Sequence, residues 1–202
     1  MIRSVISDLG KVLILFDNSI FYNKIVEHTP FDTQEIAARV NVNSDIGQAF
    51  DTGRITPRGF YEQALEALQA ALSYEDFFAL YNDVFSLNSP VVETLNRLKP
   101  TYRMVMLSNT DVMRFGFIKE RFPEALLFDE YVLSYEVGFM KPHPRIYQIA
   151  VDKAEVSPNE CLFIDDRAEN IEAARQLGIQ TIHFLEDSDL EASLRDLGLV
   201  LR

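Results

Sequence analysis

The sequence predicts an α/β fold, a Rossmann-like doubly wound parallel sheet that carries an inserted α-helical cap. Five short apolar segments bounded by turn signals are typical of strands. From residue 89 onward these segments alternate with amphipathic helical patterns, which favours parallel strands joined by right-handed crossovers. Residues 15–88 carry helical patterns with little strand signal between them. We therefore predict a core formed by residues 1–14 and 89–202 and a helical cap formed by residues 15–88.

The core elements are marked by their turn and capping residues. The predicted strands cover residues 3–7, 103–107, 130–134, 161–164 and 180–184. Ser89-Pro90 predicts one helix start, and Gly178 is typical of a helix end. Ser188 with Glu191 forms a capping box that predicts the start of the last helix. Helices thus separate most of the strands.

The predicted cap contains four helical patterns, at residues 32–40, 44–51, 57–72 and 74–85. Thr56-Pro57 pairs an N-cap residue with a proline at the first helical position, and Gly53 ends the preceding helix. This segment therefore differs in kind from the alternating core.

The charge of the chain limits its partners. Its 202 residues include 31 acidic and 19 basic side chains, which gives a formal net charge of −12. This charge repels phosphate backbones and anionic lipid head groups, so we expect neither a nucleic acid nor a membrane partner. A small anionic substrate can bind only where the site supplies its own cations and backbone N–H groups.

Cys161 is the only cysteine and lies in an apolar run. It cannot form an intrachain disulfide, which fits a reducing compartment. No window approaches the ~18 apolar residues that a membrane span requires. We expect a cytoplasmic protein, whereas no pattern predicts its oligomeric state.

Polar residues follow three of the predicted strands, where ligands of open α/β sheets bind. Asp8 follows the first strand, Ser108-Asn109 follows the second, and Asp165-Asp166 follows residues 161–164. Each residue alone can cap a turn. Three carboxylates at one sheet edge, however, repel one another unless a cation lies between them. An oxygen-only ligand set favours Mg²⁺.

Four segments, in order and at strand ends, resemble the four motifs of the haloacid dehalogenase (HAD) superfamily. They are Asp8-Leu9-Gly10-Lys11-Val12-Leu13, Leu107-Ser108-Asn109, Gly138-Phe139-Met140-Lys141-Pro142, and Phe163-Ile164-Asp165-Asp166-Arg167-Ala168-Glu169-Asn170. The third segment and its flanks are similar to the subgroup that contains bacterial α-D-glucose 1-phosphate phosphatase and the phosphatase domain of soluble epoxide hydrolase. The resemblance implies a magnesium-dependent phosphatase that acts on a small phosphorylated metabolite, similar to a sugar phosphate.

The resemblance also implies a metal site and a nucleophile. Asp8 attacks phosphorus and forms an aspartyl-phosphate that water hydrolyses. Asp8 and Asp166 give side-chain oxygens to Mg²⁺, Gly10 gives its carbonyl oxygen, and Asp165 contacts the ion directly or through water.

The same resemblance implies the residues that bind phosphate. Ser108 and the N–H of Asn109 hold phosphate oxygens at a helix N-terminus, together with Leu9 and Gly10 of the first motif. Lys141 stabilises the charge that develops on phosphorus and orients the nucleophile.

The first motif departs from the family pattern at two positions. Gly10 stands where most HAD phosphatases have the aspartate that acts as acid and base, a role worth about 10²–10⁴-fold in rate. We therefore expect a preference for esters with good leaving groups. Lys11 adds a cation beside Asp8 that contacts substrate phosphate, weakens metal binding, or points into solvent; the sequence does not decide which.

Two other functions remain open. A two-haloacid dehalogenase uses the same aspartyl nucleophile on carbon without a metal, although such enzymes usually lack the Asp165-Asp166 pair. The other is a regulatory protein that binds phosphate but has lost turnover because of Gly10 and Lys11.

Cap residues are candidates for contacting the leaving group. Phe21, Tyr22, Arg54 and Arg58 are in the predicted cap, although the aromatic pair also fits a cap core and the arginines also fit solvated positions. His28, His143 and His183 show no metal-ligand spacing, so we expect no histidine ligand.

Overall fold

The computed structural model describes residues 1–40 and 44–202. Its main sheet has five parallel strands in the order β5-β4-β1-β6-β7. These are β1 (Ser4–Ser7), β4 (Arg103–Ser108), β5 (Glu130–Leu133), β6 (Cys161–Asp165) and β7 (Gln180–His183). Each predicted strand is present within one residue at either end. The predicted α/β fold is confirmed.

The helices that connect these strands lie on both faces of the sheet. They are α6 (Ser89–Asn96), α7 (Val112–Arg121), α8 (Ser134–Val137), α9 (Pro144–Ala154), α10 (Ala168–Gln176) and α11 (Leu190–Asp196), with 3₁₀ turns at Pro123–Ala125 and Pro158–Glu160. Alternate strand residues point to opposite faces. Val5 packs with the apolar residues of α6, α7 and α11, whereas Ile6 packs with those of α9 and α10. The sheet is therefore buried on both sides, as a doubly wound fold requires.

A second group of helices follows the first strand. It comprises α1 (Asn18–Ile25), a 3₁₀ turn at Val26–His28, α2 (Thr33–Val40), α3 (Asp45–Asp51), α4 (Pro57–Leu68) and α5 (Tyr74–Asn82). These helices share their own apolar cluster, in which Phe50 stacks on Phe60 with ring centroids 4.3 Å apart. We call residues 17–40 and 44–84 the helical segment. Residues 41–43, which the sequence analysis assigns to the cap, lie outside the described residues.

Two short strands join the helical segment to the sheet. β2 (Ile14–Phe16) pairs antiparallel with β3 (Phe85–Leu87), with Ile14 opposite Leu87 and Phe16 opposite Phe85. The helix predicted at residues 74–85 is therefore wrong beyond Asn82, because Phe85 belongs to a strand. Three-residue strands have no periodicity that distinguishes them from the end of an apolar helix.

Two other predicted boundaries need correction. The helix predicted at residues 57–72 ends at Leu68, because Gln69 takes the left-handed conformation with φ 49° and closes the helix. The last helix is capped by Asp189, whose side chain accepts from the Ala192 N–H, and not by Ser188. Ser188 instead accepts a hydrogen bond from the Leu185 N–H through its hydroxyl.

Among the described residues, no helix combines the length and the apolar character that a membrane crossing needs.

Candidate active site

The carboxyl ends of two adjacent strands, β1 and β6, bring the predicted acidic residues together. β1 lies between β4 and β6, so Asp8 follows the central strand beside Asp165, the last residue of β6, and Asp166. One carboxylate oxygen from each of the three lies within 4.8 Å of the other two. Asp8 and Asp165 are buried, and Asp166 is half-buried. The predicted convergence of these carboxylates therefore occurs.

Lys141 supplies a cation inside this group. Its Nζ lies 2.8 Å from Oδ1 of Asp8 and 2.7 Å from Oδ2 of Asp165, and its side chain is almost fully buried. The residue stands in the segment that leads into α9, next to a cis peptide bond between Lys141 and Pro142. Lys141 is thus a bridge between the first-strand carboxylate and β6, and not a solvated surface lysine.

Asn109 holds the backbone of Lys141 in place. Its Nδ2 donates to the Lys141 carbonyl at 2.9 Å, and the Lys141 N–H donates to its Oδ1 at 2.7 Å. The turn after Asn109 is anchored in the same way, because Ser134 Oγ accepts from the Thr110 N–H and donates to the Thr110 carbonyl. The ends of β4 and β5 therefore fix the position of the lysine.

Burial and mutual repulsion shift the ionisation of the site. Burial raises the pKa of Asp8 to about 7, while the Lys141 ammonium opposes this increase and Asp165 and Asp166 add to it. Burial and the neighbouring Asp165 carboxylate also raise the pKa of Asp166. Burial alone favours a neutral Lys141 amine, but Asp165 and Asp8 outweigh burial and raise its pKa. Three carboxylates against one ammonium leave an excess of negative charge that a divalent cation can neutralise.

Asp165 is largely occupied by hydrogen bonds from the protein. Its Oδ2 accepts from Lys141, and its Oδ1 accepts from the Arg167 N–H at 2.9 Å. Buried Asn170 donates from Nδ2 to Oδ1 at 2.9 Å and to Oδ2 at 3.1 Å. The sequence analysis placed Asn170 in the fourth motif without a role. Its position in the first turn of α10, directly after the Asp165-Asp166 pair, is the signal that could have identified it as a partner of Asp165.

The first motif forms a tight turn around Asp8. The Leu9 N–H donates to Asp8 Oδ1 at 2.7 Å, which fixes the rotation of the carboxylate. Gly10 pairs with Ile14 in an isolated bridge. Lys11 has φ 59°, and its Nζ donates to the Phe16 carbonyl and lies 4.7 Å from the centre of the Phe16 ring. Lys11 therefore turns toward the start of the helical segment.

The site opens into a cleft of about 630 Å³ between the sheet edge and the helical segment. From the sheet side, its lining includes Asp8, Leu9, Gly10, Ser108, Asn109, Lys141 and Asp166. From the helical segment and its connecting strands, it includes Phe16, Gln48, Asp51, Thr52, Arg54 and Phe85. Arg114 of α7 also lines it. Among the residues predicted for catalysis, phosphate binding and metal binding, only Asp165 is absent from this lining.

The cap candidates and the histidines separate into lining and non-lining positions. Arg54 lines the cleft, whereas Phe21 is buried in the apolar cluster of the helical segment with Tyr22 packed against it. Arg58 is exposed and pairs with Glu62. The side chains of His28 and His183 are exposed. His143 lines the cleft and caps α9 by accepting the Arg145 N–H at its ring Nδ1. The sequence analysis missed Asp51 and Arg114, because only long-range packing brings them to the cleft.

A family model for haloacid dehalogenase-like hydrolases matches residues 5–178. The chain belongs to the haloacid dehalogenase-like hydrolases. The resemblance drawn from the four motifs and the prediction of a hydrolase are therefore confirmed. The match includes the strands that carry Asp8, Ser108 and Asp165, together with the helical segment.

Two relatives of this HAD-like hydrolase align over most of its length. It is 25% identical over 191 residues to D-ribitol-5-phosphate phosphatase of Bacteroides thetaiotaomicron, which covers 90% of this chain and 91% of that protein. It is 26% identical over 199 residues to sesquiterpene phosphatase astK of Aspergillus oryzae, with 96% of each chain covered. Both relatives carry the name of a phosphatase, although their named substrates differ in polarity.

A solved structure supports the fold. A HAD family enzyme from Bacteroides thetaiotaomicron, in complex with magnesium and inorganic phosphate, superposes with a TM-score of 0.86 at 26% identity. The superposition covers 96% of this chain and 100% of that one. The helical segment and the sheet thus occur together in both proteins.

Proposed function

We propose that this HAD-like hydrolase is a magnesium-dependent phosphatase that cleaves small phosphate monoesters through an aspartyl-phosphate on Asp8. The observation that carries the proposal is the convergence of Asp8, Asp165 and Asp166 around the buried Lys141 ammonium, at the floor of a cleft of about 630 Å³. The names of two relatives and the magnesium and phosphate bound by a similar enzyme support it.

The donor set fits a hard divalent ion. The three acidic side chains offer oxygen ligands only, and their excess negative charge over Lys141 matches a cation of charge two. Asp8, Asp166 and the carbonyl of Gly10 would hold the ion. Both oxygens of Asp165 already accept hydrogen bonds from the protein, so we assign its contact to a bridging water. When bound, Mg²⁺ supplies positive charge that offsets repulsion between the Asp8 carboxylate and the phosphate.

The residues of the chain have separate tasks in this proposal. The Leu9 N–H and the Lys141 ammonium hold the Asp8 carboxylate in one orientation, so attack on phosphorus needs little further ordering. Lys141 also neutralises charge that develops on the phosphate oxygens. The Ser108 hydroxyl and the Asn109 N–H, at the end of β4, bind two of those oxygens. Residues 15–88 act as a cap that limits which leaving groups fit.

The other two functions have less support. In a dehalogenase without a metal, Lys141 would be the one cation, in the part of the chain that the structure describes, that forms ion pairs within the three clustered carboxylates Asp8, Asp165 and Asp166. Part of their negative charge would then stay unneutralised. A phosphate-binding protein without turnover would need Gly10 and Lys11 to disable the site. The Lys11 ammonium instead donates to the Phe16 carbonyl, and no ion pair joins it to Asp8 among the described residues.

A panel of phosphate esters, assayed with Mg²⁺ and with a chelator, tests the proposal. We expect hydrolysis that needs Mg²⁺ and that falls by at least about 10³-fold in Asp8→Asn. Asp83→Asn is the matched control, because Asp83 is an exposed aspartate whose carboxylate pairs with Lys24. Release of chloride from a two-haloacid in chelator, or tight phosphate binding without hydrolysis of any ester, would contradict the proposal.

A further inference from the structure

The active site has no carboxyl group at the position that follows the nucleophile by two residues. Gly10 occupies it, and a Cβ atom added there would lie 3.0 Å from Cε1 of Phe16. The Phe16 ring thus fills space that a side chain at residue 10 would need. An alkyl leaving group departs slowly unless a positioned acid protonates its oxygen, so another group is required for such esters.

Asp51 is a carboxyl group in the same cleft. It is the last residue of α3 and lines the cleft that contains Asp8 and Asp166, yet only 5% of its surface is exposed. The C-terminus of a helix carries partial negative charge, which disfavours an ionised carboxylate there. Asp51 therefore combines access to the cleft with surroundings that favour its protonated form.

A second carboxylate makes Asp51 the surplus acid of its cluster. Fully buried Asp111 accepts the Tyr81 hydroxyl at 2.9 Å and the backbone N–H groups of Met113 and Arg114. Its Oδ2 also lies 3.9 Å from Nε of Arg114. Burial raises the pKa of Asp111, but these contacts with Arg114, Tyr81 and Met113 oppose the increase and stabilise its ionised form. One guanidinium cannot neutralise two carboxylates, so Asp51 is the member that keeps its proton.

The ionisation of Asp51 follows from these neighbours. Burial, with the Asp111 charge adding to it and Arg114 opposing it, raises the pKa of Asp51 to about 7. Tyr81 and Tyr22 share a small cavity with Asp51. The charged residues of the two other helices packed against α3 are all exposed: Arg58, Glu62 and Glu66 of α4 and Glu136 of α8.

We infer that Asp51 is the general acid and base of this phosphatase, acting from the helical segment in place of a residue beside the nucleophile. As the bond from Asp8 to phosphorus forms and the bond from phosphorus to the ester oxygen breaks, the Asp51 carboxyl gives its proton to the leaving oxygen. The Asp51 carboxylate then takes a proton from the water that attacks the aspartyl-phosphate. Inorganic phosphate leaves, and both aspartates return to their starting forms. The inference rests on the proposed function.

This assignment changes the expectation drawn from Gly10. The restriction to good leaving groups would then hold for an Asp51→Asn variant and not for the unsubstituted enzyme. The two expectations can be separated by the same assays.

The test compares 4-nitrophenyl phosphate, an aryl ester, with propyl phosphate, an alkyl ester, in the presence of Mg²⁺. In Asp51→Asn, kcat/KM for propyl phosphate should fall by about 10²-fold or more, while the value for the aryl ester changes by less than about 3-fold. Equal losses for the two esters, or no loss for propyl phosphate, would overturn the inference and leave the proposed function intact. If the unsubstituted enzyme hydrolyses neither ester with Mg²⁺, the proposed function fails and the inference fails with it.

Asp111→Asn is the matched control, because Asp111 belongs to the same cluster but is fully buried. At a pH well below 7, where Asp51 is protonated in both proteins, it should affect both esters alike. We expect kcat/KM for propyl phosphate to fall at high pH, when Asp51 loses its proton. Asp111→Asn should move this fall to lower pH, because the Asp111 charge raises the pKa of Asp51.

A measurement on the unsubstituted enzyme does not depend on the folding of any variant. An acid must be protonated to act, so kcat/KM for propyl phosphate should fall as pH rises through about 7, the pKa of Asp51. The aryl ester should show no such alkaline limb. The same limb for both esters, or for neither, would overturn the inference.

Discussion

The side chain of Asn109 and the backbone of Lys141 form a closed pair of hydrogen bonds, at 2.9 Å and 2.7 Å. The pair links the end of β4 to the segment before α9. The position of the Lys141 ammonium between Asp8 and Asp165 therefore depends on the side-chain amide of Asn109. This amide bonds to the backbone of Lys141 and not to either carboxylate.

Replacing Asn109 with alanine tests that dependence. The change keeps the Asn109 N–H for phosphate but removes both side-chain bonds, so the Lys141 ammonium loses its fixed position. We expect kcat/KM for 4-nitrophenyl phosphate to fall by about 10²-fold, the usual effect of misplacing a catalytic group by 1 Å. Asn159→Ala, at an exposed position in the turn Pro158–Glu160, is the control. A change below about 3-fold would show that Lys141 is held in another way.

Replacing Lys141 with methionine should reduce stability as well as activity. The substitution leaves Asp8 and Asp165 buried without their shared cation, which typically costs about 3–5 kcal/mol in the free energy of unfolding. Urea unfolding with and without Mg²⁺ measures this cost. We expect Mg²⁺ to restore part of the stability, because it neutralises the same carboxylates. If the variant unfolds at the same urea concentration as the original protein, the contribution assigned to the lysine is wrong.

At Gly53 the helical segment lies against α8, the short helix that contains Tyr135. Its φ is 68°, and an added Cβ atom would lie 2.2 Å from the carbonyl oxygen of Tyr135. Gly53→Ala should therefore lower the free energy of unfolding by more than the about 1–2 kcal/mol that a left-handed residue costs. Gly178→Ala, with φ 81° and open space around the added atom, is the matched control and should show only that smaller cost. Thermal unfolding measures the loss of stability in each variant. Equal losses would contradict the predicted clash between a side chain at residue 53 and the Tyr135 carbonyl.

The raised pKa of Asp51 predicts how stability depends on pH. Between the ordinary value of 3.8 and about 7, Asp51 is protonated in the folded protein and ionised in the unfolded chain. The unfolded state then binds fewer protons, so the stability contribution is present at low pH and is lost as pH rises toward 7. Asp51→Asn removes this dependence. The variant should gain stability relative to the original protein by about 1.4 kcal/mol per pH unit between about pH 5 and about pH 7. Urea unfolding of both proteins across that range measures the difference in their free energies of unfolding. A difference that does not change with pH would show that the pKa of Asp51 is not raised.

Most of the site follows from residues at strand ends, and for that reason the sequence could predict it. Asp8, Ser108 and Asp165 each directly follow or end a buried strand, and parallel strands bring such residues to one edge. The apolar runs of these strands are also unambiguous, since both faces of the sheet are buried. Local pattern was therefore sufficient for the sheet and for the acidic residues.

The remaining features depend on contacts between distant parts of the chain. β2 and β3 are three residues long and are defined by their pairing with each other, not by a pattern within either. Asp51 and Arg114 belong to helices that read as ordinary amphipathic elements, and only the packing of α3 near α7 brings them together. Asn170 lies in a recognisable motif, but its role appears only when its amide is seen to reach Asp165.

The pairing of β2 with β3 has a consequence for how such enzymes can diversify. The chain leaves the sheet region at Phe16 and returns at Phe85, and these residues are partners in register, one strand spacing of about 4.8 Å apart. An insert whose two ends meet at that spacing can be grafted there without moving Asp8, Asp165 or Lys141. Exchange of residues 17–84 between relatives should thus transfer substrate preference as a module, together with the acid and base that we assign to Asp51, while Asp8, Asp165 and Lys141 keep their positions at the sheet edge.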